Sequence, residues 1–232
     1  MEQGVSVVTC TGDRPEAFTL CRKYVERQTY NGLLQWVITD DGVVPTETPF
    51  LLNNGWSVTP IRMEPNPGQN TLARNLSAAL QEVQYEKVVV FEDDDFYSPR
   101  YVELMAAALN ESLLVGETPS TYYHVPTRKY RLMESHGRAS LCQTAFRAEL
   151  IPVLQSICRN HTDFIDTRFW DHINQKQFLR SHFCIGMKGL PGRPGIGVGH
   201  NPAGPCWNPD PDLAFLRAWI GNDVNLYKEF ML

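Results

Sequence analysis

Val88-Val89-Val90-Phe91-Glu92-Asp93-Asp94-Asp95-Phe96-Tyr97-Ser98-Pro99 is the stretch on which the fold turns. Its apolar, β-branched start is short and follows the charged pair Glu86-Lys87, so it reads as a strand buried on both faces of a mostly parallel sheet. The four acids then fall at the strand's carboxyl end, where open α/β sheets hold their ligands. Carboxylates packed this closely repel one another unless a hard cation or a positive ligand neutralises them, which points to a divalent-metal site. The competing reading is a solvated turn, because Asp and Ser favour helix N-caps and Ser98-Pro99 suits the start of a helix over 101–109.

Upstream, the pattern repeats. Gly4-Val5-Ser6-Val7-Val8-Thr9-Cys10 is another strand, broken by Thr11-Gly12-Asp13-Arg14-Pro15 before a helix that carries Phe18, Cys21 and Val25 at helical spacing and closes by Gly32. The strand 34–38 ends in Thr39-Asp40-Asp41-Gly42, again carboxylates at a strand end followed by a turn-forming glycine. A short strand at 58–62 is confined to an edge by Pro60, and a helix at 71–80, capped by Thr71 or Asn70, carries Arg74 in its first turn. The order β-α-β-β-α-β over residues 4–95 predicts a mainly parallel sheet with right-handed crossovers.

Downstream, the pattern loosens. A helix to about Asn110 precedes Leu113-Leu114-Val115-Gly116, and the aromatic Tyr122-Tyr123 with the basic Arg128-Lys129-Tyr130-Arg131 continue a mixed sheet or form an acceptor-facing lobe. Residues 139–147 read as a strand entering a helix at 149–158, and 161–172 open another helix with acids near its start. Residues 186–200 are dense enough in Gly and Pro to be a loop; with Lys188, Arg193, exposed amides and a terminal His200 it could close over a phosphate-bearing ligand and a metal. Residues 212–219 suit a short amphipathic helix.

The 232 residues, 43% hydrophobic and 20% charged, fit one good-sized soluble α/β core. A net charge of −5 supplies no global attraction for polyanions, so nucleic-acid contact would need a local basic patch. No secretory signal and no run long enough to span a membrane are visible, and the expected location is cytoplasmic. Six cysteines without C-x-x-C spacing argue against a zinc knuckle or a disulfide scaffold and read as reduced thiols, mostly buried.

Taken together, Val5 to Ala17, Gln28-Thr29-Tyr30, Trp36 to Gly42, Ala73-Arg74-Asn75, and Phe91 to Asp95 with Pro99 four residues later stand in an order that resembles the family 2 glycosyltransferases. The resemblance runs from about residue 4 to residue 172. It implies the GT-A fold, a mostly parallel central sheet flanked by helices, in a single domain over 1–232. Residues 1–99 would form the nucleotide-sugar-binding half, and 100–232 the acceptor-binding half with 186–200 as its lid. By the same resemblance the strand-end acids hold Mn²⁺ or Mg²⁺ on the diphosphate of a UDP- or GDP-sugar. Asp94 is then the first choice of ligand, with Asp93 and Asp95 nearby and His200 as a third protein ligand. Glu92 stands where the family commonly has Asp, which leaves the metal register open by one residue. Thr11, Asp13, Arg14, Asp40 and Asp41 would meet the nucleoside, and Arg74 belongs to the Ala-Arg-Asn motif on the donor side.

Lys188 and Arg193 carry charge suited to a leaving diphosphate, or are solvated loop charges. Inverting transfer needs a carboxylate to take the acceptor hydroxyl's proton. Phe146-Arg147 followed by Asp166-Thr167-Arg168-Phe169-Trp170 resembles the family's base segment, which selects Asp166 ahead of Asp163 and Asp171; the alternative for Asp166 is a helix cap. The expected activity is therefore metal-dependent, inverting transfer of a sugar to a hydroxyl, a hydroxymethylated base in DNA being one candidate acceptor. A sugar-nucleotide nucleotidyltransferase, or a non-catalytic carbohydrate- or nucleotide-binding module, are the alternatives. The former would be expected to carry a more glycine-rich loop than Thr11-Gly12-Asp13-Arg14-Pro15.

Overall fold

A computed structural model of the chain describes residues 1–48, 51–52, 55–134, 137–195, 200–204 and 206–232. The first half runs β1 (Glu2–Thr11), α1 (Pro15–Glu26), β2 (Leu34–Asp40), β3 (Ser57–Arg62), α2 (Leu72–Ala79), β4 (Tyr85–Val90), β5 (Phe96–Tyr97) and α3 (Tyr101–Ala108). The second runs β6 (Leu114–Thr118), β7 (Ser120–His124), β8 (Lys129–Met133), β9 (Thr144–Arg147), α4 (Ile151–Asn160), α5 (Ile165–His172), β10 (Lys176–Arg180), β11 (Cys184–Lys188), β12 (Asn208–Pro209) and α6 (Ala214–Ile220). Seven strands form the central sheet in the order β10-β6-β9-β4-β1-β2-β3. Its β1–β2, β1–β4, β2–β3 and β6–β10 pairs are parallel, and β9 runs antiparallel between β4 and β6.

Strand periodicity explains the layering. Val89 joins one core cluster with Val5, Val7, Trp36 and Ile38, while Val88 and Val90 join the other with Val8 and Val37. Successive side chains leave opposite faces of a strand, so a continuous apolar run is what a doubly covered strand requires. Helices α1 and α3 cover the first face through Phe18, Cys21, Val102 and Met105. Helices α2, α4 and α5 cover the second through Ala73, Leu76, Leu154, Ile157, Phe169 and Trp170.

The sequence placed the start of β4 at Val88, whereas the strand starts at Tyr85. Glu86 and Lys87 read as a boundary, yet at this half-buried end a charge is compatible with the strand: Glu86 lies 3.5 Å from Arg147 on the neighbouring β9.

A second, five-stranded sheet, β12-β8-β7-β11-β5, is where the sequence reading fell short. The aromatic and basic stretch 122–131 forms the β7–β8 hairpin. Lys188 and Gly186, expected at the start of the loop 186–200, belong instead to β11, which pairs with β7 and β5. Glycine concealed the strand because Gly186 lies against Tyr122, whose ring would be 2.5 Å from any Cβ there. The loop begins at Gly189; its residues 196–199 lie outside the described residues. The expected helix at 212–219 is α6, anchored by Leu216 and Ile220. Of the six cysteines none is in a disulfide; Cys21, Cys142, Cys158 and Cys184 are buried, and Cys206 is exposed. Among the described residues no helix is long and apolar enough to cross a membrane.

Glu117 on β6 fastens the two sheets together. Its carboxylate accepts the backbone N–H groups of Phe183 and Cys184, the latter at 2.8 Å, and burial pushes its pKa up to about 7 against the lowering effect of those bonds. The folded chain therefore holds this proton over a range in which the unfolded chain has released it, so stability contributed here is full below pH ~4.3 and falls as pH rises through about 7. Urea unfolding of Glu117→Gln across pH 4–8 should show a flatter loss of stability over that window than the wild type; parallel profiles would contradict the assignment.

Candidate active site

Parallel pairing of β4, β1 and β2 brings their carboxyl ends side by side. Asp93, Asp94 and Asp95 follow β4, Thr11 to Arg14 follow β1, and Asp40 and Asp41 follow β2. All three acids after β4 are buried, so each must be paired. Asp93 accepts from Thr11 Oγ1 at 2.8 Å and from Arg14 Nη1 at 2.9 Å. Asp95 Oδ1 accepts from the Met187 amide at 2.8 Å and from Lys188 Nζ at 2.9 Å.

Asp94 is held differently. Its nearest cations, Arg14 Nη1 and Lys188 Nζ, stand at 3.4 and 3.8 Å. Of these three acids it alone lines a cavity of about 140 Å³, with Arg14, His200 and residues 189–195. Burial works to raise its pKa, but Lys188, Arg14 and His200 outweigh that and hold it below the ordinary carboxylate range. Burial instead lifts Asp95 to about 6, despite Lys188. His200 is pushed down to about 4 by burial, with Lys188 adding to the effect, so its imidazole is neutral at pH 7.

The protein itself relieves part of the cluster's repulsion, since Arg14 and Lys188 already supply two positive charges. Whether a metal fits turns on spare donors. Asp94 offers an ionised carboxylate on the cavity, and His200 a neutral nitrogen on the same cavity, a set that suits Mn²⁺ and, through the carboxylate, Mg²⁺. Glu92, Asp95 and Cys142 also bring donor atoms within 4.8 Å of one another. That group suits a hard cation poorly, because Lys188 occupies Asp95 and burial keeps the Cys142 thiol protonated, the neighbouring Cys184 acting first in that direction.

A second cluster adjoins the first. Arg193 reaches from the loop after β11 to Asp41 at 2.9 Å and Asp13 at 3.0 Å, while Arg74 on α2 takes the other Asp41 oxygen at 3.1 Å. Asp13 adopts a left-handed backbone (φ 56°), tolerable for Asp, that lets its other oxygen accept the Val43 amide at 2.7 Å. Gly12 is required here, because the Asp41 carboxylate occupies the space that a Cβ would need. Asp40 is spent within its own loop: it accepts the Gly42 and Thr46 amides at 2.9 and 2.6 Å and pairs with Arg62 at 3.1 Å. Thr71, absent from the sequence-based site, contributes its hydroxyl to Arg193 at 3.3 Å. The sequence offered Thr71 or Asn70 as the helix cap: Thr71 holds the cap position without a side-chain cap bond, and Asn70 Oδ1 accepts the Leu72 amide.

Asp166 stands apart. It lies in the first turn of α5, and the cap position belongs to Phe164, so it is no N-cap. Among the described residues no hydrogen bond or ion pair joins it to Asp93, Asp94 or Asp95. Trp170 fixes α5 through Thr144 Oγ1 at 3.0 Å, and Arg138 holds the helix start through Thr167 Oγ1 at 2.7 Å. The Arg138 segment continues to Ser140, which bonds Tyr122, and Lys188 Nζ lies 6.0 Å from the Tyr122 ring. Burial raises the Asp166 pKa, with the Thr167 amide and Arg138 opposing, whereas Asp163 and Asp171 are exposed.

Lys188→Met should strand the buried Asp95 charge and cost roughly 3–5 kcal/mol of unfolding free energy at pH 8. The cost should shrink at pH 5, because the Asp95 carboxyl, titrating near 6, is then protonated. A pH-independent loss in urea titrations would show that the pair is not what Lys188 supports.

The Glycosyl transferase family 2 model matches residues 6–184. Comparison with curated proteins gives no match. Among solved structures, S. aureus TarS 1–349 in complex with UDP-GlcNAc aligns with a TM-score of 0.58 at 14% identity, covering 81% of this chain and 59% of that one. Mannosyltransferase PcManGT from Pyrobaculum calidifontis, in complex with GDP-Man and Mn²⁺, aligns with a TM-score of 0.53 at 13% identity, covering 78% and 56%. A further S. aureus TarS structure is covered to only 37%, so the chain spans between a third and two thirds of these neighbours' length. At such identities the likeness establishes the GT-A architecture alone, and it is the family match over most of the sequence that assigns this chain to glycosyl transferase family 2.

Proposed function

We propose that the chain transfers a sugar from a uridine or guanosine diphosphate donor to a hydroxyl, with inversion at the anomeric carbon. The observation that carries this reading is the placement of Asp94, Arg14, Arg193 and His200 around one cavity at the carboxyl ends of parallel strands. Such a place combines a carboxylate with positive side chains, which is the charge pattern that a diphosphate with a cation demands. Family membership favours glycosyl transfer over nucleotidyl transfer or a purely binding role.

Asp94 and His200 would hold Mn²⁺ or Mg²⁺, and the bound ion would supply positive charge against the donor's diphosphate. Arg14 and Lys188, already within 4 Å of Asp94, would add to the counter-charge as negative charge grows on the leaving group. Asp166 would accept the proton of the acceptor hydroxyl. The hydroxyl oxygen forms the new bond to the anomeric carbon as the bond to the diphosphate oxygen breaks, and the bonding pair leaves with the diphosphate. A carboxyl raised by burial is suited to that role, since it is a stronger base than an exposed Asp. Residues 1–99 would contribute most of the donor site. The acceptor would approach along the second sheet, where Tyr122 and Arg131 are paired on β7 and β8.

Thermal unfolding with UDP and GDP, each with and without Mn²⁺, tests the reading, because a ligand of the native state raises the melting temperature. Asp94→Asn should lose the Mn²⁺-dependent part of the shift. Asp166→Asn should keep the shift and lose roughly 10²- to 10⁴-fold in transfer rate. Full transfer by Asp166→Asn removes the base assignment, and a full Mn²⁺-dependent shift in Asp94→Asn removes the metal assignment.

A further inference from the structure

We infer that the acceptor is a phosphate-bearing molecule, held through its phosphate by Arg131 and Arg138 beside Asp166; the inference rests on the transfer reading above. Charge pairing divides the chain. Every arginine in residues 1–100 lies no further than 3.6 Å from a carboxylate. Beyond residue 100, only Arg147, Lys188 and Arg193 have an ion-pair partner among the described residues. Arg131, Arg138, Arg168, Lys176 and Arg180 have none, although Glu134, Asp163, Asp166 and Asp171 lie on the same stretch of chain.

Strand register and side-chain bonds gather these cations near the base. Arg131 on β8 stands directly opposite Tyr122 on β7, so the two side chains share a face of the second sheet. Tyr122 Oη bonds Ser140 Oγ, and two residues before Ser140 comes Arg138, whose Nη1 donates to Thr167 Oγ1 at 2.7 Å. Thr167 follows Asp166, and the Arg138 charge acts on the Asp166 carboxylate. Lys176 closes the group from β10, its Nζ donating to the Gly137 carbonyl at 3.0 Å and to the Trp170 carbonyl at 3.1 Å. Arg131 and Arg138 thus flank the contact that ties β7 to the segment entering α5.

Unused donors give this place its chemistry. Arg131 Nε and Arg168 Nε are buried without an acceptor. Arg27 Nε shares that state, but Asp223 neutralises its guanidinium. A buried N–H left unpaired costs free energy that a bound anion would recover. The guanidinium presents its N–H groups as a planar fork that matches phosphate oxygens. Phosphate suits the place better than a carboxylate, because its oxygens do not lie in one plane and can meet guanidiniums that arrive from two separate segments. Contacts of this kind would orient the acceptor hydroxyl toward Asp166 without engaging the base itself.

Two probes at low salt test the inference on the full chain: fluorescence anisotropy of a short labelled single-stranded DNA oligonucleotide, and calorimetric titration with inorganic phosphate. Binding of the oligonucleotide identifies the phosphodiesters of a polymer as the anion, and binding of inorganic phosphate alone identifies a small phosphate ester. Binding of neither overturns the inference. Arg131→Gln should weaken whichever probe binds by roughly tenfold. For the oligonucleotide it should also reduce the slope of log affinity against log salt by about 0.7. Arg131 Nε has no partner to lose, so this variant removes charge without cutting a tie to the fold. Arg138→Gln should weaken binding similarly, and Arg138→Lys should restore part of it. Unchanged affinity in both glutamine variants places the anion elsewhere, as against Arg14 and Lys188, and overturns the inference while leaving the donor reading standing. Absence of any UDP- or GDP-dependent rise in the wild-type melting temperature, with anion binding intact, removes the donor reading and the acceptor role with it.

Discussion

The joint between the two sheets is an ion pair. Lys188 closes β11 and places its ammonium 2.9 Å from Asp95, which ends the turn between β4 and β5, while the neighbouring Met187 amide donates to the same carboxylate oxygen. Neither charge is accessible to water, so neither is tolerable without the other. That requirement fixes the second sheet against the central one at the point where the strand ends converge. Replacing such a buried pair by apolar groups is often neutral or stabilising, so its distinctive physical result is a fixed charge array rather than net stability.

The same array joins the two clusters of the site. Asp13 and Arg14 are consecutive, yet Arg14 turns to Asp93 and Asp94 while Asp13 turns to Arg193. Lys188 at the end of β11 and Arg193 in the loop that follows repeat the arrangement, the first on the acids after β4 and the second on Asp41 after β2. Two short segments therefore stitch three strand ends together. Asp94, less tightly engaged than its neighbours, is the carboxylate left to face the cavity.

The acids divide between those bound into the scaffold and those to which the proposed function gives a chemical role. Asp40 and Glu117 satisfy backbone amides and hold loops or sheets in place. Asp94 and Asp166 have surroundings that push their pKa values in opposite directions, one down through neighbouring cations and one up through burial. Opposed environments of this kind are what the proposed roles of Asp94 as charge holder and Asp166 as proton acceptor require.

By itself, the sequence determined the α/β class, the parallel half of the central sheet and the position of the acids at the end of β4. Those features are local: an apolar run followed by carboxylates has one favourable place in an open sheet, and helical spacing at Phe18, Cys21 and Val25 is visible in any window. It also carried the family, through the ordered motifs from Val5 to Trp170. Only the tertiary structure decided that Lys188 lies in a strand, that Thr71 faces Arg193, that Asp40 is consumed by its own loop and that Asp94 rather than Asp95 lines the cavity. The reason is sequence distance. Lys188 meets Asp95 across 93 positions and Arg193 meets Asp41 across 152, and no periodicity records which of several chemically equivalent acids a remote cation will reach.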